Sequence, residues 1–117
     1  MDITPEIQSN LPLTETTYFI LLSLASGPRH GYAIMKDVNQ LSHGRVVLST
    51  GTLYTSLKRL LDQGWIQRSA DPDSPANGRG RKTYRLAQLG RQILEAEVQR
   101  LQGLVSVARL RQLGDLP

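Results

Sequence analysis

Ser49-Thr-Gly-Thr-Leu-Tyr-Thr-Ser-Leu-Lys-Arg-Leu-Leu-Asp-Gln-Gly-Trp-Ile66 puts two chemistries on one helix. Leu53, Leu57, Leu60 and Leu61 fall at i, i+4, i+7 and i+8 and form a single apolar stripe. Thr52, Thr55, Ser56, Lys58 and Arg59 fall largely elsewhere on the wheel. The spacing predicts a helix over 50–63, with Ser49 or Thr50 as its cap, where a hydroxyl can accept from a free first-turn N–H. Gly64 ends it. A strand follows over 65–70, and 81–87 is its expected partner, because Ile66, Tyr84 and Leu86 alternate with polar residues. The segment Asp71-Pro-Asp-Ser-Pro-Ala-Asn-Gly-Arg-Gly80 between them is too rich in Pro and Gly for regular structure and reads as a mobile loop.

Upstream, Thr14 is a plausible cap for a helix over 14–26, in which Tyr18, Leu21, Leu22 and Ala25 recur at i, i+3, i+4 and i+7. Gly27-Pro28 stops it. A second helix spans about 30–42 with Gly31, Ile34, Met35, Val38 and Leu41 inward, and Gly44 is placed to close it. Val46-Val-Leu48 is β-favouring and reads as a stub strand. Residues 1–13, with Pro5 and Pro12 and no clear period, form an arm.

Downstream, a helix runs from about Gln88 to Gln112. Leu94, Val98, Leu101, Val105 and Ala108 follow a 4-3-4-3 seam, which Leu104, Val107 and Leu110 widen. So long a helix on so small a domain has little of its own chain to cover that seam. The economical cover is the same helix of a second copy, giving a two-fold dimer; the alternative is packing back on the chain's own first helix. The division is thus an arm (1–13), a domain (14–87) and a dimerisation helix (88–117). The fold class is mainly α (α+β): a winged helix-turn-helix with a two-stranded wing and a long C-terminal dimerisation helix.

Charge points the same way. The net charge of +4 is modest, but residues 45–91 hold nine Lys/Arg against three acids, a local +6 on a remainder of −2. One basic region on a slightly acidic chain fits a polyanion-binding face. A length of 117 residues fits one domain, and 39% apolar residues can build a modest core. The absence of cysteine excludes disulfides, thiol nucleophiles and cysteine-ligated zinc, and fits a reducing cytoplasm. No apolar run is long enough to span a membrane. Asp2 and Glu6 precede the first base, Arg29, which argues against a signal or transit peptide. His30 and His43 alone cannot assemble a metal site, and no nucleophile, phosphate loop or paired carboxylate supports catalysis. No cofactor is expected.

Several motifs narrow the outline. His30-Gly-Tyr32 opens the second helix; Gly51-Thr-Leu-Tyr54 opens the third, and Leu57-Lys-Arg-Leu60 with Gly64-Trp-Ile66 closes it. Gly80-Arg-Lys-Thr-Tyr-Arg-Leu86 and Gly90-Arg91 follow. In this order and spacing they resemble the PadR family of bacterial transcriptional regulators, in its short form with a single C-terminal helix, over about residues 14–111. The resemblance implies a homodimer whose third helices enter successive major grooves of a palindromic operator while the wings touch flanking DNA. It also implies repression relieved by a small molecule or another signal. Thr55 stands where members often carry proline, Leu61 where an acid is common, and Thr83 in place of one of two adjacent tyrosines; these bear on operator preference and wing packing.

Roles follow residue by residue. Lys58 and Arg59 suit phosphates or guanine edges. Ser49, Thr50, Gly51, Thr52 and Thr55 lie on or beside the start of the reading helix, where free N–H groups attract phosphate, and Gly51 permits close backbone approach. Tyr54 has two readings, DNA contact or packing under the second helix. Tyr32 can donate to phosphate, and His30 suits a capping or packing role. Arg79, Arg81 and Lys82 on the wing suit the backbone or minor groove, adding salt-sensitive affinity with little base specificity. Leu94, Val98, Leu101, Leu104, Val105 and Ala108 carry dimerisation. The six aromatics, Tyr18, Phe19, Tyr32, Tyr54, Trp65 and Tyr84, all precede residue 85, so an aromatic drug site between C-terminal helices is not carried over. A protein-binding module using the basic face for an acidic partner, and a non-specific DNA binder, are the competing readings.

Overall fold

Polar caps and terminators cut the chain into the helices that its apolar periods require. The computed structural model describes residues 5–69 and 82–111. In chain order these form α1 (Pro5–Gln8), α2 (Glu15–Ala25), β1 (Arg29–His30), α3 (Gly31–Leu41), α4 (Thr50–Asp62), β2 (Ile66–Ser69), β3 (Thr83–Leu86) and α5 (Gln88–Leu110). Thr14 caps α2 by accepting from the Thr17 N–H at 3.1 Å, and Ser49 caps α4 by accepting from the Thr52 N–H at 3.1 Å. Between Ser49 and Thr50, then, Ser49 is the cap. Gly64 adopts φ +77, a left-handed conformation that side chains resist, and its N–H bonds to the Leu61 carbonyl at 3.0 Å as the chain leaves α4.

The core gathers Ile20, Leu21 and Leu24 of α2, Ile34 and Val38 of α3, and Leu53, Leu57 and Leu60 of α4. Trp65, Ile66, Tyr84 and Leu86 of the sheet region and Ile93, Leu94 and Ala96 of α5 complete it. The apolar stripe read along α4 is therefore core, except that Leu61 is only half-buried at its edge. On α3 the buried face stops at Val38, and Leu41, expected inside, is exposed in the helix's final residue. Gly44 closes the following turn through its N–H to the Asn39 carbonyl at 2.8 Å.

Three differences from the sequence reading have physical causes. First, the stub strand is Arg29–His30, not 46–48. The Val46 N–H is taken by Ser42 Oγ at 2.9 Å and Leu48 turns into the core, so that segment has no ladder to join. β1 instead pairs antiparallel with β3, Arg29 opposite Tyr84, while β2 pairs with β3 on its other side, Ile66 opposite Leu86. Among the described residues the sheet thus has three strands in the order β1-β3-β2, in which β2 and β3 are the expected two-stranded wing. Second, the arm includes α1, whose Ile7 is buried, and its continuation is fastened to α5 where the Leu13 N–H donates to Glu97 Oε2 at 2.8 Å. Third, Leu94, expected in the dimer seam, lies in the chain's own core. The boundary at residue 87 therefore runs through one packed unit, since Gly90, Ile93, Leu94, Ala96 and Glu97 of α5 are all buried.

Beyond Arg100 no described residue of α5 is buried. At about 100° per residue, Val107 lies opposite Val98 on this helix. Leu104, Val107 and Leu110 thus make a second apolar edge and do not widen the first.

Candidate nucleic-acid interface

The buried leucines fix how α4 is turned. With Leu53, Leu57 and Leu60 inward, the helical period sets Gly51, Thr55, Lys58 and Asp62 directly outward. Tyr54 falls on one flank and Arg59 on the other. All six are exposed.

The flanks are occupied by the chain itself. Arg59 Nη2 donates to Thr17 Oγ1 of α2 at 2.9 Å, and Thr17 is buried, so this guanidinium braces α4 against α2. On the other side the Tyr54 hydroxyl lies against Gly31, 2.7 Å from where a Cβ on that residue would stand. Of the two readings of Tyr54, the geometry shows the packing one: its hydroxyl end packs on the start of α3, while the residue stays 45% exposed. It also neighbours the sheet. Burial first, and then Tyr54, pushes the Tyr84 hydroxyl above the ordinary phenol range, with Arg68 pulling the other way.

The outward face itself is bare. Among the described residues Gly51 has nothing within 4 Å of a Cβ position, so none of them requires glycine there. Ser49 and Thr52 bond to each other through their hydroxyls at 2.9 Å, while Thr50 and Thr55 are exposed. Lys58 Nζ pairs with Asp62 at 3.3 Å, one helical turn on, with both side chains mostly in solvent.

Tyr32 is 62% exposed at the start of α3, beside Gly31 and therefore beside Tyr54. His30 serves the sheet: its Nδ1 lies 3.1 Å from Thr83 Oγ1, and its side chain makes no cap bond to α3. In the wing, Lys82 is exposed as β3 begins, while Arg79 and Arg81 lie outside the described residues. Sequence reasoning missed two further cations, Arg68 of β2 and Arg85 of β3, both exposed on the sheet. Strand alternation around Tyr84 and Leu86 could have singled out Arg85. Arg45 is already matched by Glu15 at 3.0 Å.

Behind this surface, α5 carries a groove of about 590 Å³ lined by Tyr18 of α2 and by Val98, Leu101, Val105 and Arg109. Glu97 lies beside it, buried and bonded by Arg100 Nη2 at 3.1 Å and by the Leu13 N–H. The Arg100 guanidinium, more than the backbone donor, holds this carboxyl below the usual carboxylate range despite burial. Among the described residues no cluster of His, Asp or Glu could hold a metal ion, and no helix is long and apolar enough to cross a membrane.

Comparison with known proteins identifies the family. The sequence profile of the transcriptional regulator PadR-like family matches residues 20–96. A PadR family transcription regulator from Clostridium difficile has a solved structure with TM-score 0.67 and 26% identity, covering 86% of this chain and all of that one. Bacillus subtilis PadR, solved in complex with operator DNA, has TM-score 0.62 and 25% identity over 73% of this chain and 47% of that one. A transposon TN4556 protein of 37.1 kDa from Streptomyces fradiae is 37% identical over 79 residues; the chain spans 20% of its length. The matched family and the Clostridium difficile relative are described as transcriptional regulators. The match across most of the chain, on a winged-helix core with a bare outer face on α4, makes this protein a member of the PadR-like transcriptional regulator family.

Proposed function

We propose that this protein is a homodimeric, sequence-specific repressor that binds a palindromic operator in the cytoplasm. α4 lies in the major groove, the β2–β3 hairpin acts as wing and α5 joins the two copies. The observation that carries the reading is the outward face of α4. Gly51, Thr55 and Lys58 stand exposed on it, Gly51 with open space around it among the described residues and Lys58 held only by the solvent-exposed Asp62 on the same helix, in a family one of whose members was solved on operator DNA. Thr50 and Gly51, at the first turn, present free N–H groups to phosphate, and Lys58 reaches a phosphate or guanine edge. Ser49, Thr52, Tyr54 and Tyr32 border this contact, while Lys82, with Arg79 and Arg81, meets flanking DNA. Arg59 contributes chiefly by holding α4 on α2.

The pairing surface is the half-covered edge of α5, with Val98, Leu101, Val105 and Ala108 in the seam and Leu104 on the second edge. Leu101 and Val105 line the groove beside Tyr18, which a partner helix would fill. The same groove is where an effector would act on assembly.

Selection of bound duplexes from a random pool tests the whole reading. A palindromic consensus with half-sites one helical turn apart is expected; recovery of no consensus would refute sequence-specific binding. Leu101→Glu with Val105→Glu, at positions outside the buried core, should give a folded monomer by light scattering, and an unchanged dimer removes α5 from the interface.

A further inference from the structure

Lys36 has no place in the interface described so far, yet the fold sets it at that interface's border. It is exposed on α3, one turn beyond Tyr32. Its Nζ sits 5.9 Å from the centroid of the Tyr32 ring, within the range at which an ammonium is drawn to an aromatic face. Among the described residues Lys36 forms no ion pair. The adjacent acid, Asp37, is engaged by Arg29 at 3.7 Å, and Arg29 is itself bonded to the Ser23 carbonyl at 3.0 Å. The cation is thus held in place without being neutralised. Tyr32, for its part, leaves 62% of its surface in water.

Position supplies the ligand. Gly31 touches the Tyr54 hydroxyl, and Tyr54 flanks the outward face of α4, so the first turns of α3, with Tyr32 and Lys36 exposed on them, border that face. A strand of duplex that passes beside α4 runs along this border, and what it presents there is its phosphates. The geometry points to Lys36 as a phosphate-contacting residue that the Tyr32 ring positions, fixing the register of α4 on the duplex without reading bases. This inference rests on the reading of α4 as the DNA-facing helix.

The test is the salt dependence of binding to a selected operator and to an unrelated duplex of equal length. Each neutralised phosphate contributes about −0.9 to the slope of log K against log salt. Lys36→Gln should make the slope shallower by about 0.9 per subunit and weaken both duplexes by the same factor. Tyr32→Leu should reproduce much of that loss, whereas Tyr32→Phe, which keeps the ring, should not. An unchanged slope in Lys36→Gln, or a loss confined to the operator, overturns the phosphate contact. Equal losses in the Phe and Leu variants overturn positioning by the ring. Lys58→Ala separates the two levels. If it weakens binding while Lys36→Gln does nothing, only this inference fails; if it too does nothing, the reading of α4 fails with it.

Discussion

The backbone carbonyl of Trp65 occupies the space that a side chain on Gly90 would need, with the Trp65 carbonyl carbon 2.9 Å from the Cβ position. The same carbonyl accepts from the Ala87 N–H at 3.0 Å. The first turn of α5 is therefore pressed onto the base of the wing, and only a residue without Cβ permits it. Gly90→Ala should lower stability by roughly 3 kcal/mol, at the upper end of overpacking costs, because backbone cannot swing aside as a side chain can. Gly103→Ala, further along α5 with open space around it, should raise stability by about 0.5–1 kcal/mol. Urea denaturation midpoints at constant slope measure both.

Gly31 meets a softer neighbour. A Cβ there would lie 2.7 Å from the Tyr54 hydroxyl oxygen and 3.1 Å from the ring carbon that bears it. Gly31→Ala should displace the Tyr54 ring and cost about 1–2 kcal/mol, and Tyr54→Phe should recover part of that cost by deleting the nearest atom. The double-mutant cycle should show favourable coupling of at least about 0.5 kcal/mol; strict additivity would mean the ring is not the obstacle.

Acid should loosen the fastening of the N-terminal segment to α5. The Glu97 carboxyl is held below its ordinary range by Arg100 and the Leu13 N–H. It contributes stability above the unfolded value of about 4.3, and that contribution is lost as pH falls through the lower folded value. Glu97→Gln should cost about 1–3 kcal/mol at pH 7. The gap between variant and wild type should close on acidification, read from denaturation midpoints across pH 3–7.

Much of this fold is legible in the chain, and the exceptions share a cause. The caps at Thr14 and Ser49 and the stripe Leu53, Leu57, Leu60 are local signals, and each places its helix to within a residue or two of the observed ends. The third strand was not readable: Arg29–His30 has no β pattern and exists because β3 runs alongside. The placing of Leu94 inside and Val105 outside was equally hidden, since a helical seam does not say which of its turns its own chain will cover. In the interface, the wheel separated Lys58 from the leucines. It could not show that Arg59 would find Thr17, forty-two residues earlier, because that contact depends on how α4 crosses α2.

Ser23 offers a gain. Its hydroxyl is buried in α2 with no hydrogen-bond partner among the described residues. Ser23→Ala should stabilise by about 1 kcal/mol, since an unmet buried polar group costs about 1–3. A fall in thermal midpoint would show that the hydroxyl is satisfied after all.

Asp62 should act as a brake on DNA affinity. It shares the outward face of α4 and pairs with Lys58. Asp62→Asn frees that ammonium, an exposed pair worth about 0.5 kcal/mol, and removes an anion from the face. Operator binding should tighten by about threefold, measured by fluorescence anisotropy at fixed salt. Weaker binding would indicate that Asp62 itself accepts from a base.

The two residues of β1 give the sheet a mechanical role. β3 carries the chain on from the exposed Lys82, and through β1 it is bonded to the stem from which α3 starts, one residue before Gly31 and two before Tyr32. A pull on β3 is consequently passed through Arg29 and His30 to the first turn of α3. A duplex that deflects the wing would draw Tyr32, and the lysine beside it, along the same line of force.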